Sequence, residues 1–241
     1  MPFTRNETDR GPVFTANGAP VHIPNSEIMA PLVPVLDAFT RRATEVETVM
    51  KPEAAPARIA REAGPLLAAS KSALNAALAD ARATAEADAR ALTPPPTIAD
   101  AAKVNGPEIR AAFRQGGIGG KMGKIASASA VELAAILEPG NLAELPPQAV
   151  ELARERALPL YHIERAGLNA SAPRKPSLAR LLAVGPDAPA VQAEAELAGA
   201  YHRGRLDAVE ANESVLQHLV GYLAAALHIT ADDALARVLA A

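Results

Sequence analysis

Gly116-Gly117-Ile118-Gly119-Gly120 runs directly into Lys121, and backbone amides unscreened by side chains are what a phosphate group seeks. The known phosphate motifs nevertheless fail residue by residue. A phosphate-binding loop needs Gly, four residues, then Gly-Lys-Ser/Thr after a strand; here Gln115 stands at the first glycine and Met122 follows Lys121. In the dinucleotide fingerprint, Gly117-x-Gly119 meets Met122 where the third glycine belongs. The run therefore reads as a hinge or a tight backbone passage. Its surroundings are basic, with Lys103, Arg110, Arg114, Lys121 and Lys124 opposed only by Glu108. Arg110, Arg114, Lys121 and Lys124 are the candidate contacts for phosphate or nucleic acid. Ile98–Asn105, Gly106 and Glu108–Arg114 also trace a helix-turn-helix outline, in which Ile109 and Phe113 would pack the second helix. Pro107, directly after the turn, departs from that pattern.

The five histidines offer less. His22, His162, His202, His218 and His228 show no i, i+4 pair of the kind that holds a metal on one helix face. His218 and His228 lie near Glu213, Asp232 and Asp233 only in sequence. Tyr161-His162 with Arg165, and Tyr201-His202 with Arg205, repeat at an offset of about 40 residues, the length of a helical repeat. His162 with Glu164, or His202 with Asp207, could be acid–base pairs, and Tyr161, His162 and Arg165 could share one helical face; the ordinary reading is an amphipathic rim with ring and hydroxyl at the core edge. Ser127 and Ser129 lack a Gly-x-Ser-x-Gly context. No nucleophile, base and orienting group come together, so the expectation is no catalytic residue, no metal and no cofactor.

Composition narrows the class. The chain has 241 residues, no cysteine, no tryptophan, 3% aromatics, 21% charged residues and a net charge of −3. That leaves no disulfide framework or thiolate metal site, and excludes a globally basic nucleic-acid binder. Residues 1–9 carry charge without an apolar run, so they are not a secretory signal. Residues 214–231 hold no formal charge, yet Gln217, His218, Gly221, Tyr222 and His228 interrupt them. The segment reads as a buried helix rather than a membrane span. A cytoplasmic or virion location is the expectation.

The elements that would position any site are mostly helical. Residues 1–27 differ, being rich in Pro, Gly, Asn and Thr. Within them, Val13 and Phe14 face Val21 and Ile23 across Asn17-Gly18, a hairpin signal, and Pro20 marks its arm as an edge. Leu32, Val35, Leu36 and Phe39 then give a helical stripe after Pro31. Residues 58–92 read as one long helix with a kink near Gly64-Pro65, its seam built on Leu67, Leu74, Leu78 and Ala81. Thr93-Pro94-Pro95-Pro96 reads as a stiff spacer. Short helices at 98–104 and 107–115 follow. A capping box at Ser129 and Glu132 opens a helix that Pro139-Gly140 ends, and Pro146-Pro147 opens one running to about Gly167. A short helix at 177–184, a long one at 189–228 with a break near Gly204, and a last one capped by Thr230 complete the chain. The fold class is all-α, with about eight helices and an N-terminal arm carrying a β-hairpin. The domain reading is an arm over 1–27, a long-helix region over 28–92, a proline linker over 93–97, and a helical domain over 98–241.

A lone hairpin is marginal in water, and the arm carries little apolar surface to offset about 1–2 kcal/mol of backbone entropy per residue. The expectation is that it lies on a neighbouring subunit, with Val13, Phe14, Val21 and Ile23 as the contact residues. The implied protein is a non-enzymatic assembly component, a helical subunit of a large homo-oligomer such as a bacteriophage head–tail connector or capsid-associated protein. A nucleic-acid-associated protein working through residues 97–124 is the alternative.

Overall fold

The hairpin forms where the sequence puts it. β2 (Gly11–Ala16) and β3 (Ala19–His22) pair antiparallel with Phe14 opposite Val21 and Ala16 opposite Ala19. Asn17 at φ 48° and Gly18 at φ 87° make the two-residue turn. A third strand, β1 (Phe3–Thr8), adds to β2 and gives the sheet order β1-β2-β3, which leaves Pro20 on an edge. The sequence reading missed β1 because Arg5, Asn6, Glu7 and Thr8 are polar and exposed. The strand is held by its ladder, by the Arg5–Asp37 ion pair at 2.7 Å, and by Phe3 set edge-on to Phe39 at 6.0 Å. The computed structural model describes residues 3–115, 117–142, 145–178 and 181–241.

This sheet corrects the reading of the arm. Phe14, Val21 and Ile23 are fully buried, and they share one core with Leu36, Phe39, Leu219, Tyr222 and Leu223 of the same chain. Val13, on the opposite face of β2, is half-buried. Asn17 Nδ2 donates to the Ala225 carbonyl oxygen at 2.8 Å, tying the turn to the far end of the chain. Burial of each large aliphatic or aromatic side chain contributes about 1.5–3 kcal/mol. The arm's own apolar residues are few, but helix faces of the same chain receive them.

The helices follow the stripes read above, with differences at proline and glycine. α1 (Leu32–Val49) starts directly after Pro31. The expected long helix is interrupted: α2 (Ala55–Glu62) and α3 (Gly64–Leu92) are separated at Ala63, where Pro65 has no N–H to continue the ladder. The two short helices after the prolines are instead a single one, α4 (Pro96–Arg114), which runs straight through Gly106 and Pro107. The helix-turn-helix outline is therefore absent. α5 (Ile118–Ser127) occupies most of the glycine run, while Gly116 lies outside the described residues. α6 (Ala130–Ile136), α7 (Pro139–Leu142), α8 (Pro147–Arg165) and α9 (Leu168–Ser171) follow; Gly167, at φ 62°, ends α8. α10 (Ala188–Leu227) has no break at Gly204, and α11 (Ala231–Ala240) starts at its Thr230 cap. The fold is all-α with a small N-terminal sheet, eleven helices being present among the described residues. The short helix expected at 177–184 is not formed by the described residues there; Ala179 and Arg180 lie outside them.

Two compact units result, one from Met1–Thr84 with Leu206–Ala241, the other from Ala85–Arg205. The divisions fall inside α3 and inside α10 rather than at the proline linker over 93–97. The expected 98–241 domain is thus split. Its last 36 residues, Leu206 to Ala241, belong to the first unit because Leu219, Tyr222, Leu223, Ala234 and Val238 complete the core around the sheet. The second unit has its own core of Ile98, Phe113, Ile125, Leu133, Ala149 and Tyr161.

Candidate docking groove

The four candidate phosphate contacts are engaged within the second unit. Arg110 Nη1 donates to Glu138 Oε2 at 2.6 Å, and its guanidinium lies over Gly106, where a Cβ would collide with it. Arg114 Nη2 donates to Asn141 Oδ1 at 2.8 Å, and the buried Asn141 amide donates in turn to the Ala135 carbonyl oxygen. Lys124 Nζ donates to the Ala112 carbonyl oxygen at 2.6 Å, and Lys121 sits 5.7 Å from the Phe113 ring centroid. These contacts join α4 to α5 and to the α6–α7 corner. A phosphate would compete with each of them.

The tyrosine–histidine pairs do not form equivalent sites. Tyr161 is buried in the second core, and burial pushes its hydroxyl up to about 12. Tyr201 is largely exposed, edge-on to His202. Arg165 Nη2 donates to the carbonyl oxygens of Arg90, Ala91 and Thr93, closing the C-terminal end of α3. His218 Nδ1 lies 2.8 Å from the Ser214 carbonyl oxygen one turn back, and no group of three or more His, Asp or Glu side chains converges among the described residues. The sequence thus named polar groups that the fold uses as braces.

What it did not name is a groove. In the first unit, α3, α10 and α11 line an open channel of about 550 Å³. Leu74, Leu78 and Ala81 form one wall, Leu216 and Val220 the second, and Leu235 closes it. Leu78 and Leu235 are 46% and 40% exposed, an unusual state for leucines that line a concave surface. Among the described residues, Glu213 is the sole ionisable lining side chain, and it is exposed. Ser70 points its hydroxyl back to the Leu66 carbonyl oxygen, so the floor offers no free donor there. Small-molecule sites combine apolar walls with a few convergent polar groups. This channel is lined mostly by aliphatic side chains, its exposed Glu213 and Gln217 apart, which suits the aliphatic side chains of a helix or loop. Part of it was legible: Leu74, Leu78 and Ala81 are the seam residues of the long helix. The opposing wall, more than a hundred residues away, carries no local signal.

No single helix among the described residues is long and apolar enough to cross a membrane; α10 and α11 pass a length-and-composition test only together, bent by 103°. In the uncharged stretch, Leu219, Tyr222, Leu223, Ala226 and Leu227 are buried in the first core. Compared with models of known families, with curated proteins and with solved structures, the chain matches none.

Proposed function

We propose that this chain is a non-enzymatic assembly protein, a helical subunit that associates with further copies of itself. The observation that carries the reading is the open apolar groove of α3, α10 and α11. Contiguous exposed apolar surface of this kind marks contact sites between proteins. The residues alone point to a contact on the N-terminal arm and a virion setting. With Phe14, Val21 and Ile23 in the chain's own core, the contact moves to the groove, and the proposal narrows to homo-oligomeric assembly. The nucleic-acid alternative loses ground because Arg110, Arg114, Lys121 and Lys124 already have internal partners.

Light scattering on the full chain across a concentration series tests this. Self-association that is lost in Leu78→Asp with Leu235→Asp supports it, with circular dichroism confirming that the helices remain. A strict monomer, or an oligomer indifferent to both substitutions, overturns it.

A further inference from the structure

A second apolar feature stands unpaired in the other unit. Between α9 and α10, Leu178, Leu181, Leu182 and Val184 are 98%, 71%, 93% and 84% exposed. An isolated bridge between Pro173 and Pro186 closes the base of this loop, with the Arg174 N–H donating to the Gly185 carbonyl oxygen at 3.0 Å and the Asp187 N–H to the Ala172 carbonyl oxygen at 2.8 Å. The base is fixed while its four aliphatic side chains stand in water. Their spacing matters as well. Leu178, Leu181 and Leu182 fall at i, i+3 and i+4, the anchor pattern of a segment that lays one helical face into a groove. A helix of about eight residues is marginal without a surface to bury against.

The structure assigns this loop, from a second copy of the chain, as the occupant of the groove. The inference rests on the assembly reading above and deepens it. Two observations select this occupant. The loop exposes leucines that are spaced i, i+3 and i+4 in the sequence, and the groove is lined mostly by aliphatic side chains. Charge agrees also: residues 172–186 carry Arg174, Lys175 and Arg180 with no acidic residue, and among the described residues the only ionisable side chain lining the groove is Glu213. The basic residues of the loop would therefore meet Glu213 while leucines meet leucines. A contact between unlike surfaces leaves one loop and one groove free on each added copy, so it propagates unless the geometry closes it.

The cysteine-free sequence gives a direct test. Leu78→Cys, in the groove, and Leu181→Cys, in the loop, are made in separate chains, mixed and oxidised gently. A covalent dimer joining the two different variants is expected, at a yield several-fold above a control pair of Leu78→Cys with Val49→Cys. Light scattering of Leu181→Asp with Leu182→Asp is the companion measurement, and loss of association is expected. An oligomer that the groove substitutions dissolve and the loop substitutions leave intact, with no cross-link above control, overturns the loop as occupant and leaves the assembly reading standing. A monomeric parent chain overturns both.

Discussion

Ser129 and Glu132 show how much a single short pattern can say. The Ser129 hydroxyl accepts from the Glu132 N–H, and Glu132 Oε2 accepts from the Ser129 N–H at 2.7 Å, the reciprocal arrangement that the spacing announces. Ser129→Ala is expected to cost about 1 kcal/mol, read as a lower midpoint in urea unfolding. The hydrogen bonds from Ser129 hold the Glu132 carboxyl below its ordinary value. A depressed carboxyl stabilises the fold above its unfolded-state value and loses that contribution as pH falls through the folded one. The difference between parent and Ser129→Ala should therefore shrink in acid. Tyr161 and Tyr222 behave in the opposite sense. Burial raises both hydroxyls to about 12, and Tyr222 also shares a 3.1 Å hydrogen bond with Thr40 Oγ1. Their contribution is complete below pH 10 and is lost as pH climbs towards 12, because the unfolded chain releases those protons first. Tyrosinate absorbance from these two residues should appear together with unfolding, and Tyr222→Phe should remove part of the signal. Caps were legible because donor and acceptor are three residues apart. The partners of Tyr222 were not, since Thr40 is 182 positions away.

Two elements turn on backbone chemistry rather than on hydrophobic pattern. The first is the corner between β1 and β2. Gly11 sits at φ 123°, and a Cβ there would run into the carbonyl oxygen of Ile23, whose N–H is bonded to the Pro12 carbonyl oxygen. Gly11→Ala should destabilise the first unit by about 1–3 kcal/mol, visible as a lower thermal midpoint. The second is α4. Pro107 in its interior removes a hydrogen bond and crowds the preceding turn, a cost of about 3 kcal/mol in an ordinary helix. Pro107→Ala should raise the midpoint, whereas a true turn at this place would show no gain. The sequence reading took Gly106-Pro107 as a boundary because those residues usually are one. Here Ile98, Ala102 and Phe113 bury one continuous face against the second core, and that packing overrides the local preference. The Asn17-Gly18 hairpin, by contrast, was readable because turn type and strand register are set by the same few residues.

At the scale of the molecule the helical class followed from periodicity, and the division into units did not. Stripes such as Leu32, Leu36 and Phe39 say that a face is buried without saying against what. The answer was Leu219, Tyr222 and Leu223, supplied from beyond an entire intervening unit. The same gap in information turned the arm into an expected interface and hid the groove. A chain ending at residue 205 should accordingly lose its N-terminal sheet. Amide exchange checks this: Phe14 and Val21 should be protected in the full chain and exchange freely in the shortened one, while Leu133 and Ala153 of the second core should stay protected in both.

Because the first unit is built from segments that precede and follow the second in sequence, the order of synthesis matters. On the ribosome, residues 1–84 emerge early and must wait, their sheet unsupported, while Ala85–Arg205 is translated and can already settle. The early segment reaches its final state only when α11 clears the exit tunnel. During that interval Phe14, Val21 and Ile23 lack the part of their core that Leu219, Tyr222 and Leu223 supply, and nascent-chain holding factors would find their target there rather than in the middle of the protein.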